Sequence, residues 1–482
     1  MTAALRLFGW VMLPFSLTAF IAAAVALADP LDNTSIVWFV YASMVAFAAV
    51  MILIVTNTQI RGSERSVALY TPLFIAAGCP FIIGLPFFIT GILIDPVAAW
   101  FEGVSAMTTT GSSAAGPPAT LPQAILLWRC VSEWLGGWIF ICFAIAIQPV
   151  LNISGMRFAV NILPRTEARS LYHRIVETGL TLGRLYAALT AIATLLILLC
   201  GADFFVALPL AMIGLATGGY LPFEQGLTSI SGLSVKTGFF FVLLLGSLNF
   251  TLYYAVFRGR AHQTFRLVEL RGVLRMLVLA VLAMIAVSLL SGDIARGQVS
   301  LLDTVFLAIS AVSTSGLSPL GTQTASLSVG ILLLSVCVIG GMAGSTTGGV
   351  KILRALLIDR FVNSELARLG NPNRVSPVEY AGRVVRVSDM LGIWSLVLVV
   401  AATIAIGSLI LSALQMPFLS AIAVSVSAVT NAGPMPEVMD PRFAGYGAMS
   451  AAMMFTCASL MILGKLEFLL VLAFAFSRLF RL

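Results

Sequence analysis

The chain has 482 residues, 60% of them hydrophobic and only 10% charged, with a mean hydropathy of +1.04. Ordinary soluble domains are about a quarter charged, so this composition excludes a water-soluble globule and points to an integral membrane protein. The net charge of +7 could suggest a nucleic-acid binder, but its placement fits the positive-inside rule, and no nucleic-acid partner is expected.

Apolar runs of about 20 residues, the length a helix needs to cross a bilayer, predict spanning helices near residues 5–27, 36–57, 71–94, 123–149, 179–200, 237–257, 274–291, 327–357, 390–414 and 447–477. Barrel strands would alternate polar and apolar residues over about ten positions, and that pattern is absent. The first run could pass for a signal peptide, but it is long for one and lacks a small-residue cleavage site, so it counts as a helix. Arginines follow every second helix. They are Arg61 and Arg65; Arg157, Arg165, Arg169 and Arg174; Arg258, Arg260, Arg266, Arg271 and Arg275; and Arg360, Arg368, Arg374, Arg383 and Arg386. Those faces should be cytoplasmic. The opposite loops carry Asp29, Asp32, Asp95, Asp203, Glu224, Asp293, Asp303, Glu437 and Asp440. An even number of spans then puts both termini in the cytoplasm, in keeping with Arg6, Arg478 and Arg481. The cysteines fall singly in apolar segments, and no disulfide is implied.

Shorter apolar segments follow alternate helices from the third onward: DPVAAWFEGVSAM (95–107), DFFVALPLAMIGLA (203–216), DTVFLAISAV (303–312) and PFLSAIAVSVSAV (417–429). Such lengths read as re-entrant segments. Each runs into a small polar cluster with glycine: TTTGSS (108–113), TGGY (217–220), STSGLSP (313–319) and TNAGP (430–434). The aligned glycines Gly111, Gly219, Gly316 and Gly433 recur roughly every 100 residues, the mark of an internal repeat. The expected fold is an all-α polytopic membrane protein. Two N-terminal helices (1–66) precede four helix–pore loop–helix units in pseudo-fourfold arrangement, at 67–160, 161–262, 263–380 and 381–482.

Non-helical backbone at membrane depth is tolerated only when buried in protein or lining a wet cavity. Four such loops around an axis would build a pore lined by carbonyl oxygens, which can replace a cation's water. Each short helix would aim the negative end of its dipole at the ion. Asp95, Asp203 and Asp303 stand where acidic caps are favoured, and Pro417 suits a first helical turn. The two aspartates 203 and 303 could also concentrate cations. One cluster of small residues would ordinarily mean close helix packing, but four at matching points favour the ion site. Arg129 and Glu133, four apart, read as an ordinary interfacial i,i+4 pair, with a role near the pore entrance as the lesser alternative. Trp38 and Trp128 read as interfacial anchors. No HExxH, GxSxG or intramembrane aspartate pair occurs, so the chain is not expected to be an enzyme.

On these residues the chain resembles the Trk/Ktr/HKT superfamily of potassium uptake proteins, and most of all the Trk-type membrane subunit. AGSTTGGVKILR (343–354) is similar to the family's AGSTGGGIK stretch, SEWLGGWIF (132–140) to its HWIGGMG helix start, and LGKLEFL (463–469) to its GRLE motif. RLGNPNRVSPV (368–378) resembles the loop before the last repeat. The resemblance implies potassium uptake across the bacterial cytoplasmic (inner) membrane, with K+ as the transported ion and no organic cofactor. Carried over by motif, the selectivity filter is Thr109-Thr110-Gly111, Thr217-Gly218-Gly219, Thr314-Ser315-Gly316 and Asn431-Ala432-Gly433. Serine at the first filter glycine goes with sodium selectivity in related plant transporters, so Gly111 leans toward potassium. The stretch 340–349 becomes an intramembrane gating loop, with Gly344, Ser345, Thr346, Thr347, Gly348, Gly349, Lys351 and Lys465 as gating residues. Lys351 is expected to snorkel to the inner interface. The resemblance further implies a homodimer in membrane lipid, controlled by a cytoplasmic nucleotide-binding regulatory subunit of the RCK/TrkA type. Thr347 stands where the family usually has glycine, which predicts a stiffer gate. Trp138 replaces a common methionine, and Lys465 the arginine of GRLE. An alternating-access, cation-coupled secondary transporter is the runner-up reading.

Overall fold

The structure, a computed structural model, describes residues 2–30, 32–57, 64–148, 170–224, 226–230, 232–259, 268–297, 299–320, 326–371, 378–380 and 383–466. Arg61, Arg157, Arg165, Arg169, Arg260, Arg266, Arg374, Arg478 and Arg481 lie outside these residues, as do most of the 368–378 motif and the end of the last expected helix.

Two helices, α1 (Thr2–Ala28) and α2 (Ser35–Val55), pair at the start of the chain. Then one plan recurs. The first unit is α3 (Glu64–Ile89), the short α4 (Pro96–Met107) and α5 (Gln123–Cys142), which passes into a π-helical turn at Phe143–Ile147. The second is α6 (Leu171–Leu199), the short α7 (Phe204–Ala216), and the pair α8 (Leu233–Gly246) and α9 (Phe250–Phe257). The third is α10 (Val268–Leu290), the short α11 (Leu301–Val312), α12 (Leu327–Ile339) and α13 (Ile352–Gly370). A two-stranded antiparallel hairpin, β1 (Glu379–Tyr380) with β2 (Arg383–Val384), pairs Glu379 with Val384. The last unit is α14 (Val387–Ala413), the short α15 (Phe418–Thr430), the single turn α16 (Met435–Met439) and α17 (Ala451–Lys465). The chain is thus a polytopic all-α membrane protein.

Seven of the described helices are long and apolar enough to cross a membrane, eight if the bent pair α8–α9 counts once. Two expected spans are interrupted. The run 237–257 bends by 95° between α8 and α9, because Asn249 leaves the helix and caps the next one, accepting from Thr251 N at 2.9 Å and Thr251 Oγ1 at 2.8 Å. The run 327–357 stops at Ile339 and resumes at Ile352. A hydropathy window registers apolar length and is blind to a change of direction.

Caps on the short helices differ from expectation. Asp95 does cap α4, accepting from Val97 N at 3.0 Å. Asp203 sits at the N-cap of α7 without a side-chain cap bond. Ser300, three residues before Asp303, is the cap of α11, and the two form a capping box with bonds of 3.1 and 3.0 Å. Pro417 occupies the N-cap position of α15 rather than its first turn.

The interfacial reading of Trp38 and Trp128 is overturned. Both are buried, with rings 5.5 Å apart, and Tyr41 and Phe15 pack on Trp128 edge-on. Trp128 Nε1 donates to Ile83 O at 2.9 Å, and the Tyr41 hydroxyl donates to Ile82 O. Each such aromatic pair adds about 0.5–1.5 kcal/mol beyond its buried area, so this cluster pins α2 to the first unit.

Candidate functional site

The short helices α4, α7, α11 and α15 are too short to span and are buried along most of their length. All four end the same way. The residue after the last turn is left-handed: Thr109 at φ +55°, Thr217 at +50°, Thr314 at +54° and Asn431 at +55°. Each donates its N–H back three residues, and the next residue donates back five: Thr110 N to Ser105 O, Gly218 N to Ile213 O, Ser315 N to Ser310 O, and Ala432 N to Ser427 O, at 2.9–3.1 Å. This is the Schellman end of a helix. Glycine usually fills the left-handed position, and a β-branched residue there is strained by about 1–3 kcal/mol. Here three threonines and an asparagine hold it.

Those loops meet as a ring. A Cβ on Gly111, itself at φ +83°, would stand 2.2 Å from Gly219 Cα. One on Gly219 would stand 2.6 Å from Ser315 O and 2.7 Å from Thr110 O. Gly316 faces Ala432 O, and Gly433 N donates to Thr110 O at 2.8 Å, which closes the circle. Asn431 Nδ2 ties the fourth loop to Thr110 Oγ1 at 3.0 Å, and Tyr446 Oη holds Gly433 O at 2.7 Å. All twelve residues expected to form a filter therefore lie in one ring, buried. Helices crowd against its foundations: a Cβ on Gly136 would lie 2.2 Å from Met107 O, and one on Gly464 would lie 2.0 Å from Val429 O.

The ring opens on one side to a vestibule of ≈ 780 Å³ lined by Gly111, Gly219, Tyr220, Glu224, Pro434 and Glu437, among others. Burial raises the Glu437 carboxyl above the ordinary carboxylate range. On the other side lies a cavity of only ≈ 30 Å³, lined by Phe140, Gln148, Ser345, Thr347, Lys351 and Lys465.

The stretch 340–351 fills the space between. Thr346 Oγ1 lies 3.0 Å from both Leu215 O and Thr217 Oγ1 and 3.1 Å from Gly246 O. Gly348 N donates to Thr314 Oγ1 at 2.8 Å, and a Cβ on Gly348 would fall 1.8 Å from Thr430 O. Lys465 Nζ bridges the two parts, donating to Thr346 O and to Thr109 Oγ1, both at 2.7 Å. Thr347 Oγ1 accepts from Gly341 N at 3.2 Å and pairs with Ser345 Oγ at 2.7 Å. Lys351 does not snorkel. It is buried, and its ammonium donates to Thr347 O and, at 3.0 Å, to Thr347 Oγ1. The break in the second unit docks on the same stretch: Met342 N donates to Ser247 O at 3.0 Å, and Phe250 N to Gly344 O at 3.1 Å.

Comparison with known proteins shows the family and the fold. A family model described as a cation transport protein, TrkH, matches residues 89–479. The chain belongs to the TrkH family. Among its relatives, the Trk system potassium uptake protein TrkH of Escherichia coli K12 is 28% identical over 371 residues, covering 77% of this chain and 76% of that protein. The Trk system potassium uptake protein TrkI of Halomonas elongata is 29% identical over 407 residues, covering 82% and 79%. The crystal structure of the potassium transporter TrkH from Vibrio parahaemolyticus superposes with a TM-score of 0.85 at 26% identity, over 98% of each chain.

In this TrkH-family chain, the largest departure from the sequence reading lies behind the ring. Arg129 and Glu133 do pair, at 3.1 Å, but both are buried, so the interfacial reading fails. Arg129 Nε also meets Glu102 Oε2 at 3.0 Å, and its Nη2 donates to Ser105 Oγ at 3.0 Å and Ser112 O at 3.3 Å. Glu102 Oε1 accepts from Ser113 Oγ, Ala114 N and Ala115 N at 2.5–3.1 Å, and Glu133 Oε1 accepts from Gly219 N at 3.0 Å. Glu102 and Glu269, whose Oε1 accepts from Ala343 N at 2.6 Å, were not singled out from sequence. For Glu102 the signal was an ionisable residue within an apolar membrane segment, which is a functional hypothesis by default; Glu269 lies in the arginine-rich stretch before the span expected at 274–291 and carries no such signal.

Removing one partner from a buried ion pair costs about 3–5 kcal/mol. Arg129→Leu, which leaves two carboxylates facing each other, is therefore expected to lower the melting temperature of the purified protein clearly. An unchanged melting curve would mean the network carries no structural weight.

Proposed function

We propose that this chain is the membrane subunit of a potassium uptake system of the inner membrane, passing K+ through the ring of four loops. The observation that carries the reading is the fourfold recurrence of one left-handed helix end at one buried level, with four strands in mutual contact. A cation entering there would take over carbonyl oxygens that now face neighbouring loops, which is how a backbone filter replaces hydration water. Four short helices direct their C-terminal dipole ends at it. The vestibule is the outer mouth, and the stretch 340–351 is the gate, closed in this conformation with Lys465 as its latch. That all four loops meet at one level favours a pore over an alternating-access carrier.

The termini and the arginine-rich loops face the cytoplasm, where a nucleotide-binding regulator of the RCK/TrkA type docks on a homodimer in membrane lipid. Expression in a bacterial host lacking its own potassium uptake systems, together with the regulator, is expected to restore growth at low external potassium. Failure to restore it, with the protein present in the membrane, would count against the proposal.

A further inference from the structure

The four loops are not held from behind in the same way. In the first, third and fourth units a serine of the short helix, five residues before the second ring residue, reaches forward to its own loop. Ser105 Oγ donates to Ser112 O at 2.6 Å, Ser310 Oγ pairs with Ser315 Oγ at 3.1 Å, and Ser427 Oγ donates to Ala432 O at 2.6 Å. The second unit has Ile213 at this point, which has no hydroxyl to offer. Its loop is held instead by Glu133, a residue of the preceding unit's α5, through the 3.0 Å bond to Gly219 N.

The ring itself makes room for this. The second ring residues are Thr110, Gly218, Ser315 and Ala432, so only the second loop lacks a Cβ there. A Cβ on Gly218 would stand 2.0 Å from Glu133 Oε1, hence glycine and the carboxylate form a matched pair. Arg129 then carries the tether on to Glu102, which grips the first loop, and its guanidinium also lies 4.8 Å from the centre of the Tyr220 ring. Loops one and two are braced to each other through charged side chains, while the serine tethers of loops three and four come from their own helices, with the Tyr446 hydroxyl added at the fourth.

We propose that Glu133 is a positioning residue that determines ion selectivity, a carboxylate standing in for the missing serine tether of the second loop, with Gly218 as its required partner. This rests on reading the ring as the filter. A strand held from behind keeps its oxygens at the spacing a larger, weakly hydrated cation needs. A slack strand closes onto a smaller one, and discrimination falls. Glu133 need not touch the ion to do this.

The test uses ion-dependent thermal stabilisation of the purified full-length protein in detergent, titrated with potassium chloride or sodium chloride at constant ionic strength, because binding to the folded state raises the melting temperature whether or not the gate is open. Glu133→Gln loses the ion pair with Arg129, and Gly218→Ala displaces the carboxylate sterically. Both are expected to lower the ratio of apparent potassium to sodium affinity by about tenfold, the scale of one charge-assisted hydrogen bond. If either variant keeps the wild-type ratio while folded, the proposal is overturned. Glu133→Asp, which keeps the charge and shortens the reach, carries the same expectation if the first variant does not fold. Wild-type protein stabilised no better by potassium than by sodium would instead remove the filter reading itself.

Discussion

Gly111→Ser is expected to relax the exclusion of sodium and to reduce potassium uptake about tenfold or more. Two independent costs act at this position. The backbone is at φ +83°, a left-handed conformation that costs a residue with a Cβ about 1–2 kcal/mol. The new Cβ would also fall 2.2 Å from Gly219 Cα, on a loop that is itself crowded by Pro434 and Ser315 O. The first loop must therefore withdraw from the ring. Its Thr110 carbonyl, tied to Gly433 N at 2.8 Å, moves with it, and two contacts of the ring loosen at once. A kilocalorie or two of misfit at the ion's oxygens is worth roughly tenfold in affinity. Uptake of potassium and sodium by cells carrying the variant measures both effects. An unchanged ion preference would sink the assignment of Gly111 to the filter.

The second large effect is expected from deleting residues 344–348. Flux in the absence of the regulator should rise, and the dependence on the regulator should weaken. The deleted residues include Thr346, whose carbonyl accepts from Lys465 Nζ at 2.7 Å, and Gly348, whose N–H donates to Thr314 Oγ1 at 2.8 Å. They also include Gly344, which accepts from Phe250 N across the break in the second unit. Hydrogen bonds to a charged group contribute about 1.5–3 kcal/mol each, so losing the Lys465 contact alone removes enough bias to raise an open population about tenfold. Ion flux into liposomes containing the purified deletion protein is the measurement. A deletion that folds and yet conducts less would return this stretch to a packing role.

Much of this architecture was legible because its signals are local. A spanning helix announces itself by a run of apolar residues, and a re-entrant helix by a shorter run ending in Thr, Ser and Gly. The repeat placed Thr109, Thr217, Thr314 and Asn431 in register before their common left-handed backbone was seen. The glycines and hydroxyls of 340–349 marked a break in an apolar run, and the break is there. Where the reading failed, the deciding contact lay far away in sequence. Trp128 looked like an anchor because tryptophan favours membrane interfaces, and only the partner rings of Trp38, Tyr41 and Phe15 show that it is interior. The Arg129–Glu133 pair looked ordinary at a spacing of four, and only Glu102 and Gly219 make it a brace. Lys351 is the exception: it was expected to snorkel, yet its ammonium turns inward to Thr347 only four residues back, on an irregular stretch whose course no periodicity dictates.

By itself, then, the amino-acid sequence determined the membrane class, the fourfold repeat, the ends of the four short helices and the glycines at which backbone crowds. These depend on side-chain transfer energies and on conformational preferences spanning a few residues. The tertiary structure alone decided that the four ends close into one ring, that Lys465 reaches Thr109 across 356 residues of chain, and that a carboxylate of one unit holds the loop of the next. Such contacts arise between groups whose own local sequences carry no trace of the partner, because the hydrogen bond that joins them depends on distance in space and not on distance along the chain.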